Sequence, residues 1–372
     1  MTWGSRMVMK KKNLGIELLR IVAMMMVVVL HYLDKGGILQ PYMDNMEPSN
    51  LFYWLLEAFA LESVNVYILI TGYLLADAAW KPKRLFQVVL QVYFYTILIP
   101  VVLILAGLVA PGSITLYDWI RYLFPVGQEC YWYISAYAVM IVFSPILAAG
   151  AKSLTKKQFQ GVLAILLFLF SVEKTVFPIA FSTDRYGYDF GWLLCLFLVA
   201  VYLKLHGIPF LEKGCRNGFL LYVVSCLGMW FISIGSGCLG RMGLATFGLH
   251  YVSRPYDHNY LLTLTASVGV FYGFKNLKFR EPEDGKQTIF TKLVLLIGPH
   301  VMGVYLLHEH PVLNYRWPAW LGVIPGRSVP LMLVHMLACV LLIFTCGVVI
   351  DLMRARLYRF VGTTFFRKRK TS

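Results

Sequence analysis

The sequence predicts an all-α, polytopic membrane protein with about ten transmembrane helices. Only 14% of its 372 residues are charged, whereas 59% are hydrophobic and the mean hydropathy is +0.66. A soluble domain carries roughly 25% charged residues, and a larger core does not account for the difference. Apolar runs of about 17 or more residues recur along the chain, and a helix needs about 20 to cross the hydrocarbon layer.

The apolar runs define the predicted spans, and the stretches between them are too short to hold a separate soluble domain. The ten spans are 14–33, 51–76, 85–109, 132–150, 160–178, 189–206, 218–238, 260–274, 290–310 and 330–352. Irregular loops bearing Pro and Gly are predicted at 34–50, 110–131, 179–188, 239–259 and 311–329. We divide the chain into one transmembrane domain, residues 1–352, and a basic cytoplasmic tail, residues 353–372.

The net charge of +15 would suggest nucleic acid as a partner if the protein were soluble. Here the basic residues fall between the apolar runs. With the N-terminus inside, the inner segments hold 24 Lys and Arg residues and the outer segments hold 8. This bias predicts that both termini are cytoplasmic. We therefore expect no nucleic acid partner, and we expect the basic tail to contact anionic membrane lipids.

The seven cysteines form no CxxC pair, and most lie in apolar runs, where Cys behaves as a small hydrophobe. Neither a metal site nor a disulfide framework is predicted. The first apolar run, from Leu14, is long and lacks a cleavage site, so it is expected to be a retained helix.

The first span carries ionisable residues, which are costly inside a membrane and usually functional. Arg20 and His31 are 11 residues apart. That is about three turns and about 16 Å along a helix, so both side chains lie on one side. Glu17 can pair with Arg20 at i, i+3. In the alternative interpretation, Arg20 reaches the inner interface and His31 caps the outer end.

The ninth span ends in His308, Glu309 and His310, at the predicted depth of His31. A carboxylate beside an imidazole can fix its tautomer and raise its basicity. His308 and His310 lie about 200° apart around a helix, so they are not expected to serve one site. The alternative is that these residues simply occupy the membrane interface at a helix end.

Two further clusters have both a structural and a functional interpretation. A basic cluster before the third span fits either the phosphates of a nucleotide-like donor or an ordinary cytoplasmic loop; it comprises Lys81, Lys83 and Arg84. An aromatic cluster opens the fourth span, where residue physics favours an interfacial belt over a sugar-stacking wall; it includes Trp132, Tyr133 and Tyr137.

Several segments together resemble the acyltransferase-3 family of integral membrane O-acyltransferases, in particular its bacterial members that modify polysaccharides. The resemblance covers residues 13 to about 315, with the spans in the expected order. It rests on five motifs: Glu17, Arg20 and His31; Ile70–Leu75; Tyr131–Tyr137 with Ser144–Leu147; Phe274–Lys278; and Gly303–Pro311. Where some relatives have an Arg-x-x-Arg cluster, this chain has Lys81-x-x-Arg84.

The resemblance implies an acyltransferase of the bacterial cytoplasmic membrane. It would transfer an acyl group, typically acetyl from acetyl-CoA, to a sugar hydroxyl of a cell-surface or exported polysaccharide or its lipid-linked precursor. Acetyl-CoA is a co-substrate, and no tightly bound cofactor is expected. The family's essential histidine and arginine correspond to His31 and Arg20.

We assign the remaining site residues as hypotheses. The catalytic set is His31, Arg20 and Glu309. The donor would contact Arg20, Lys81, Lys83 and Arg84. The acceptor would contact Trp132, Tyr133, Tyr137 and His308. His31 could act as a general base or carry the acyl group as a nucleophile.

Three alternatives remain open at this point. The chain could be a transporter or flippase for a glycan or small molecule, although no internal repeat is visible. It could be a catalytically inactive family member that serves as a sensor or assembly partner. It could also be an enzyme that transfers another acyl group, for instance succinyl.

Overall fold

The computed structural model describes residues 12–41, 45–79, 81–126, 131–179, 182, 184–279 and 286–367. All regular secondary structure in these ranges is helical, as predicted. The α-helices are α1 Leu14–Lys35, α2 Pro48–Ala60, α3 Ser63–Leu75, α4 Lys83–Leu105, α5 Leu116–Leu123, α6 Trp132–Ser153, α7 Lys156–Leu167, α8 Glu173–Val176, α9 Phe190–Leu205, α10 Pro209–Glu212, α11 Cys215–Arg241, α12 Ala245–Ser253, α13 Leu261–Lys275, α14 Ile289–Ile297, α15 Val301–His308, α16 Arg316–Trp320 and α17 Val329–Arg367.

Eight helical segments among the described residues are long and apolar enough to cross a membrane. They are Leu14–Lys35, Pro48–Leu75, Lys83–Leu105, Trp132–Ser153, Lys156–Val176, Cys215–Arg241, Ile289–His308 and Val329–Val361. The sixth and eighth predicted spans coincide with the shorter helices α9, of 16 residues, and α13, of 15 residues. The protein is thus a multi-pass helical membrane protein, while the count of ten and the sides of the termini stay predictions.

Three of the predicted spans are not continuous α-helices, and the fifth contains a π-helical stretch at Phe168–Val172 between α7 and α8. The second is divided into α2 and α3 at Leu61–Glu62, and the ninth into α14 and α15 by a 3₁₀ turn at Gly298–His300. Pro299 explains the break in the ninth span, because its ring nitrogen has no hydrogen to donate to the helix ladder. Non-helical backbone at membrane depth is tolerated where it is buried in protein or lines a cavity.

The predicted irregular segments contain more helix than expected. Loops 110–131, 239–259 and 311–329 include α5, α12 and α16. Helix α5 begins with a capping box in which Thr115 and Asp118 bond reciprocally. The last helix continues from the predicted end of the membrane domain at 352 to Arg367, and residues 368–372 of the predicted tail lie outside the described residues.

Helix α1 lies at the centre of the bundle. It packs against α2, α3, α13, α14, α15 and α17. Asn13 caps its first turn by accepting a hydrogen bond from the Ile16 amide at 3.1 Å. One side of an otherwise apolar helix therefore carries Arg20 and His31 into the interior rather than towards lipid.

Helices α15 and α17 pack closely through two glycines. A β-carbon on Gly347 would lie 2.5 Å from the Val304 Cα, and one on Gly303 would lie 2.6 Å from the Asp351 Cβ. Small residues allow this backbone approach between membrane helices. The fully buried Asp351 of α17 then joins the two helices, because it bonds at 2.6 Å to His300, which caps the start of α15. Within α17 it also accepts a hydrogen bond from the Arg354 Nε at 2.7 Å.

Candidate active site

A cavity of about 1040 Å³ runs beside α1 through the bundle. It contacts α1 from Arg20 to Lys35, which corresponds to about 22 Å of helix axis. The breaks in the second and ninth spans both border this cavity, through Leu61 and Pro299 respectively. Arg20 and His31, the two ionisable residues that the sequence predicts on one side of the first span, thus line a single cavity.

His31 belongs to a cluster of polar side chains from α1 and the end of α15. His31 Nδ1 lies 2.9 Å from His308 Nε2 and 3.3 Å from Glu309 Oε1. The packing of α1 against α15 brings them together. His310 points elsewhere: its Nδ1 accepts a hydrogen bond from the Val312 amide, as expected for a residue on another face.

The hydrogen bonds of this cluster define which ring nitrogen of His31 carries a proton. His308 Nδ1 lies 2.6 Å from the Val304 carbonyl oxygen, which can only accept, so Nδ1 carries the hydrogen. The neutral His308 ring therefore accepts at Nε2, and His31 donates from Nδ1. His31 Nε2 retains its lone pair, and it makes no hydrogen bond among the residues that the structure describes.

Lys35 and Glu309 form an ion pair beside the imidazoles. Lys35 Nζ lies 2.5 Å from Glu309 Oε1, the same oxygen that faces His31. Ligand atoms of His31, His308 and Glu309 lie within 4.8 Å of one another, close enough for a metal ion in principle. The Lys35 ammonium already holds the carboxylate and would repel a divalent cation, so the donor set suits proton chemistry better than metal binding.

Arg20 lines the opposite end of the cavity with largely unused donors. Its side chain is 26% exposed, and its only ion pair among the described residues is with Glu17, at 3.6 Å. Its backbone carbonyl accepts a hydrogen bond from the Tyr67 hydroxyl at 2.5 Å, which anchors α3 to α1. A guanidinium with free donors on a cavity wall is a suitable partner for phosphate groups.

The aromatic cluster of the fourth span also lies on the cavity wall. Trp132, Tyr133 and Tyr137 all line it, and the rings of Tyr133 and Tyr137 stack with centroids 5.8 Å apart. By contrast His308, predicted to contact the acceptor, does not line the cavity; it is 2% exposed and lies behind His31.

The basic cluster before the third span lies outside this cavity. Lys81 and Lys83 are exposed at the start of α4. Arg84 lines a second, smaller cavity of about 230 Å³ together with Lys152. None of these three cations therefore lines the same cavity as Arg20.

Several cavity residues were not identified from the sequence. Lys35 was counted only as a loop charge. Tyr188 and His258 lie in predicted loops, and Glu57 lies in a span where it was not noticed; all three line the cavity. Burial lowers the pKa of His258 to about 4, so its ring is neutral at physiological pH.

A buried lysine fixes the loops that contribute these residues. Lys174 Nζ, from the helix end before one loop, bonds to Asp184 at 2.6 Å, Asp257 at 2.7 Å and Asn259 at 2.8 Å. A buried cation is tolerated when it is paired and hydrogen-bonded in this way. The segments around Tyr188 and His258 are therefore joined to each other beside the cavity.

The comparisons with known proteins identify the family of the chain. A family model described as an acyltransferase domain matches residues 13–353, which include α1, the interrupted ninth span and every residue that lines the large cavity. No curated protein and no solved structure matched the chain. Because the family match covers most of the sequence, the chain belongs to the acyltransferase-3 family and is a multi-pass membrane acyltransferase.

Proposed function

We propose that this protein transfers an acetyl group from acetyl-CoA to a sugar hydroxyl. The acceptor is a cell-surface or exported polysaccharide or its lipid-linked precursor, and the enzyme lies in the cytoplasmic membrane of a bacterium. The observation that carries the proposal is the single cavity along α1, with free guanidinium donors at one end and a basic imidazole nitrogen near the other.

The donor enters from the Arg20 end. The loop charges predict that this end faces the cytoplasm, where acetyl-CoA is found. Coenzyme A is polyanionic, so its phosphates pair with Arg20, and with Arg84 at the neighbouring cavity. Lys81 and Lys83 add positive potential at the surface. The pantetheine arm then extends past Tyr137 and Tyr133 towards His31.

Acyl transfer follows from the proton positions in the His31 cluster. His31 Nε2 removes the proton from the acceptor hydroxyl, and the sugar oxygen attacks the thioester carbonyl carbon. The carbon–sulfur bond breaks, the ester forms, and the CoA thiolate takes the proton from His31. Between these two proton transfers His31 is an imidazolium, which the Glu309 carboxylate, 3.3 Å from Nδ1, stabilises. His308 acts as a positioning residue, because it contacts His31 and not the cavity.

The same nitrogen could instead attack the thioester and form an acetyl-imidazole, which the sugar hydroxyl would then cleave. The two routes differ in one measurable respect. Only the second produces labelled protein when radiolabelled acetyl-CoA is supplied without an acceptor. Both require Nε2 of His31 to be unprotonated, so the hydrogen-bond argument applies to either.

The test uses the full chain in lipid nanodiscs, acetyl-CoA and a panel of bacterial polysaccharides. Free thiol is measured as CoA is released, and the product is examined for alkali-labile O-acetyl esters. We expect thiol release to depend on the acceptor. Absence of acceptor-dependent release across the panel, or acetate found on nitrogen or on lipid only, would overturn the proposal. Flux of glycan across liposomes without acylation would instead support a transporter.

A further inference from the structure

The side-chain amide of Gln91, on α4, lies between the large cavity and a fully buried carboxylate. Gln91 is one of the residues that line the cavity, whereas Asp351 does not line it and has no exposed surface. Gln91 Nε2 donates a hydrogen bond to Asp351 Oδ1 at 2.8 Å. The nitrogen of the amide is therefore turned towards α17, behind the cavity wall.

The other partners of Asp351 determine the orientation of this amide. Arg354 donates to both carboxylate oxygens, from Nε at 2.7 Å and from Nη2 at 3.1 Å, and the Tyr95 hydroxyl donates to Oδ1 at 3.2 Å. A carboxylate paired in this way only accepts hydrogen bonds, so the part of the amide that faces it is the NH₂ group. Gln91 Oε1 is left on the other side, and no residue that the structure describes donates a hydrogen bond to it.

The amide and the Arg20 guanidinium are connected through the break in the ninth span. The carboxylate that holds the amide also bonds at 2.6 Å to His300, in the 3₁₀ turn that begins at Gly298. Gly298 lies against Glu17, because a β-carbon on this glycine would be 2.7 Å from Glu17 Oε2. Glu17 in turn pairs with Arg20 at 3.6 Å. The amide thus belongs to the part of the cavity wall near the proposed entrance of the donor.

We propose that Gln91 Oε1 accepts a hydrogen bond from an amide N–H of the pantetheine arm of coenzyme A. This arm has two secondary amides between the phosphates and the thioester, so a donor whose phosphates pair with Arg20 carries amide groups along this wall. A few precisely placed polar groups of this kind orient a ligand in an otherwise apolar cavity. Asp351 is a positioning residue, because it determines which end of the Gln91 amide faces the ligand.

This inference rests on the proposed function and adds a selectivity for donors whose arm contains an amide hydrogen. The test measures binding of coenzyme A without an acceptor, so no acyl transfer takes place. Radiolabelled CoA bound to the full chain in nanodiscs is displaced by CoA or by two ester analogues, each with the nitrogen of one arm amide replaced by oxygen. We expect at least one analogue to bind about 5- to 30-fold more weakly than CoA, because it leaves the Gln91 oxygen without a donor. If both analogues bind as tightly as CoA, the inference is overturned, and this result requires no variant.

The variant Gln91→Met assigns the selectivity to this residue, because methionine has an unbranched side chain of similar length and only a weak acceptor. In this variant CoA and the weaker analogue should bind within about twofold of each other. Gln87→Met, one turn earlier on α4, is the matched control, because Gln87 is exposed and does not line the cavity; it should keep the full selectivity.

The possible failures of the inference and of the proposed function are distinct. Unchanged selectivity in Gln91→Met would overturn the inference and leave the proposed function intact. Absence of CoA binding to the unaltered protein would instead overturn the proposed function, and this inference with it.

Discussion

The ion pair of Lys35 and Glu309 beside His31 changes the stability of the His31 imidazolium by an amount that the distances determine. Glu309 Oε1 lies 3.3 Å from His31 Nδ1. At an effective dielectric constant of about 20, a carboxylate at this distance stabilises the imidazolium by about 5 kcal/mol. Lys35 Nζ, 2.5 Å from the same oxygen, opposes it. The ammonium is at most about 6 Å from Nδ1, so its repulsion is about 3 kcal/mol or more.

These values predict that the effects of substituting Lys35 and Glu309 on kcat are not additive. Glu309→Gln removes the attraction and leaves the Lys35 repulsion, so kcat should fall by up to about 10³-fold. The double variant Lys35→Met/Glu309→Gln removes both charges and loses only the net attraction of about 2 kcal/mol, which is a decrease of about 30-fold. The second substitution should therefore restore at least about tenfold of the activity.

The assay is the initial rate of CoA release by each variant in nanodiscs at saturating acetyl-CoA and acceptor. Lys213→Met, at an exposed lysine away from the site, serves as the control for loss of a lysine. A double variant as slow as Glu309→Gln, or wild-type activity in Glu309→Gln, would refute the electrostatic reasoning. Matched thermal unfolding curves establish that the variants are folded.

Three further predictions concern Arg20, His308 and Lys174. Arg20→Gln should raise the KM for acetyl-CoA by about 10- to 100-fold with little change in kcat, because charged hydrogen bonds contribute about 1.5–3 kcal/mol; a KM equal to that of the wild type contradicts a donor role. His308→Phe removes the acceptor for His31 Nδ1 and should lower kcat by about 2- to 10-fold, whereas His308→Gln should lose less; equal rates in the two variants would argue against positioning. Lys174→Met leaves Asp184 without its ion pair and Asp257 with Arg254 alone, and it should lower the unfolding free energy by about 3–5 kcal/mol; a thermal unfolding midpoint as in Lys213→Met would exclude this role.

Hydropathy and charge patterning predicted the helical spans because the bilayer requires about 20 apolar residues for each of them. They could also identify Arg20 and His31, since two ionisable residues on one side of an apolar helix are exceptional. The breaks at Leu61–Glu62 and Gly298–His300 were not predicted, because hydrophobicity continues across both. Only Pro299 gave a local indication of a break.

The composition of the site could be predicted only in part. The motif around His308 and Glu309 was identified, but its contact with His31 depends on the packing of α1 against α15, which local periodicity does not encode. His258 and Tyr188 were missed because they come from loops that a buried ion-pair network at Lys174 joins. Polar residues of this kind have no periodic pattern, so their position follows from tertiary contacts alone.

The central claim is that His31 Nε2 performs the chemistry at the end of a donor cavity that begins at Arg20. Single-turnover transfer of radiolabelled acetyl from acetyl-CoA to the acceptor tests it in His31→Ala, with His206→Ala as the matched control. We expect transfer to slow by about 10²- to 10⁴-fold in His31→Ala, with acetyl-CoA binding unchanged, and the control to match the wild type. Transfer at the wild-type rate in His31→Ala would contradict the account.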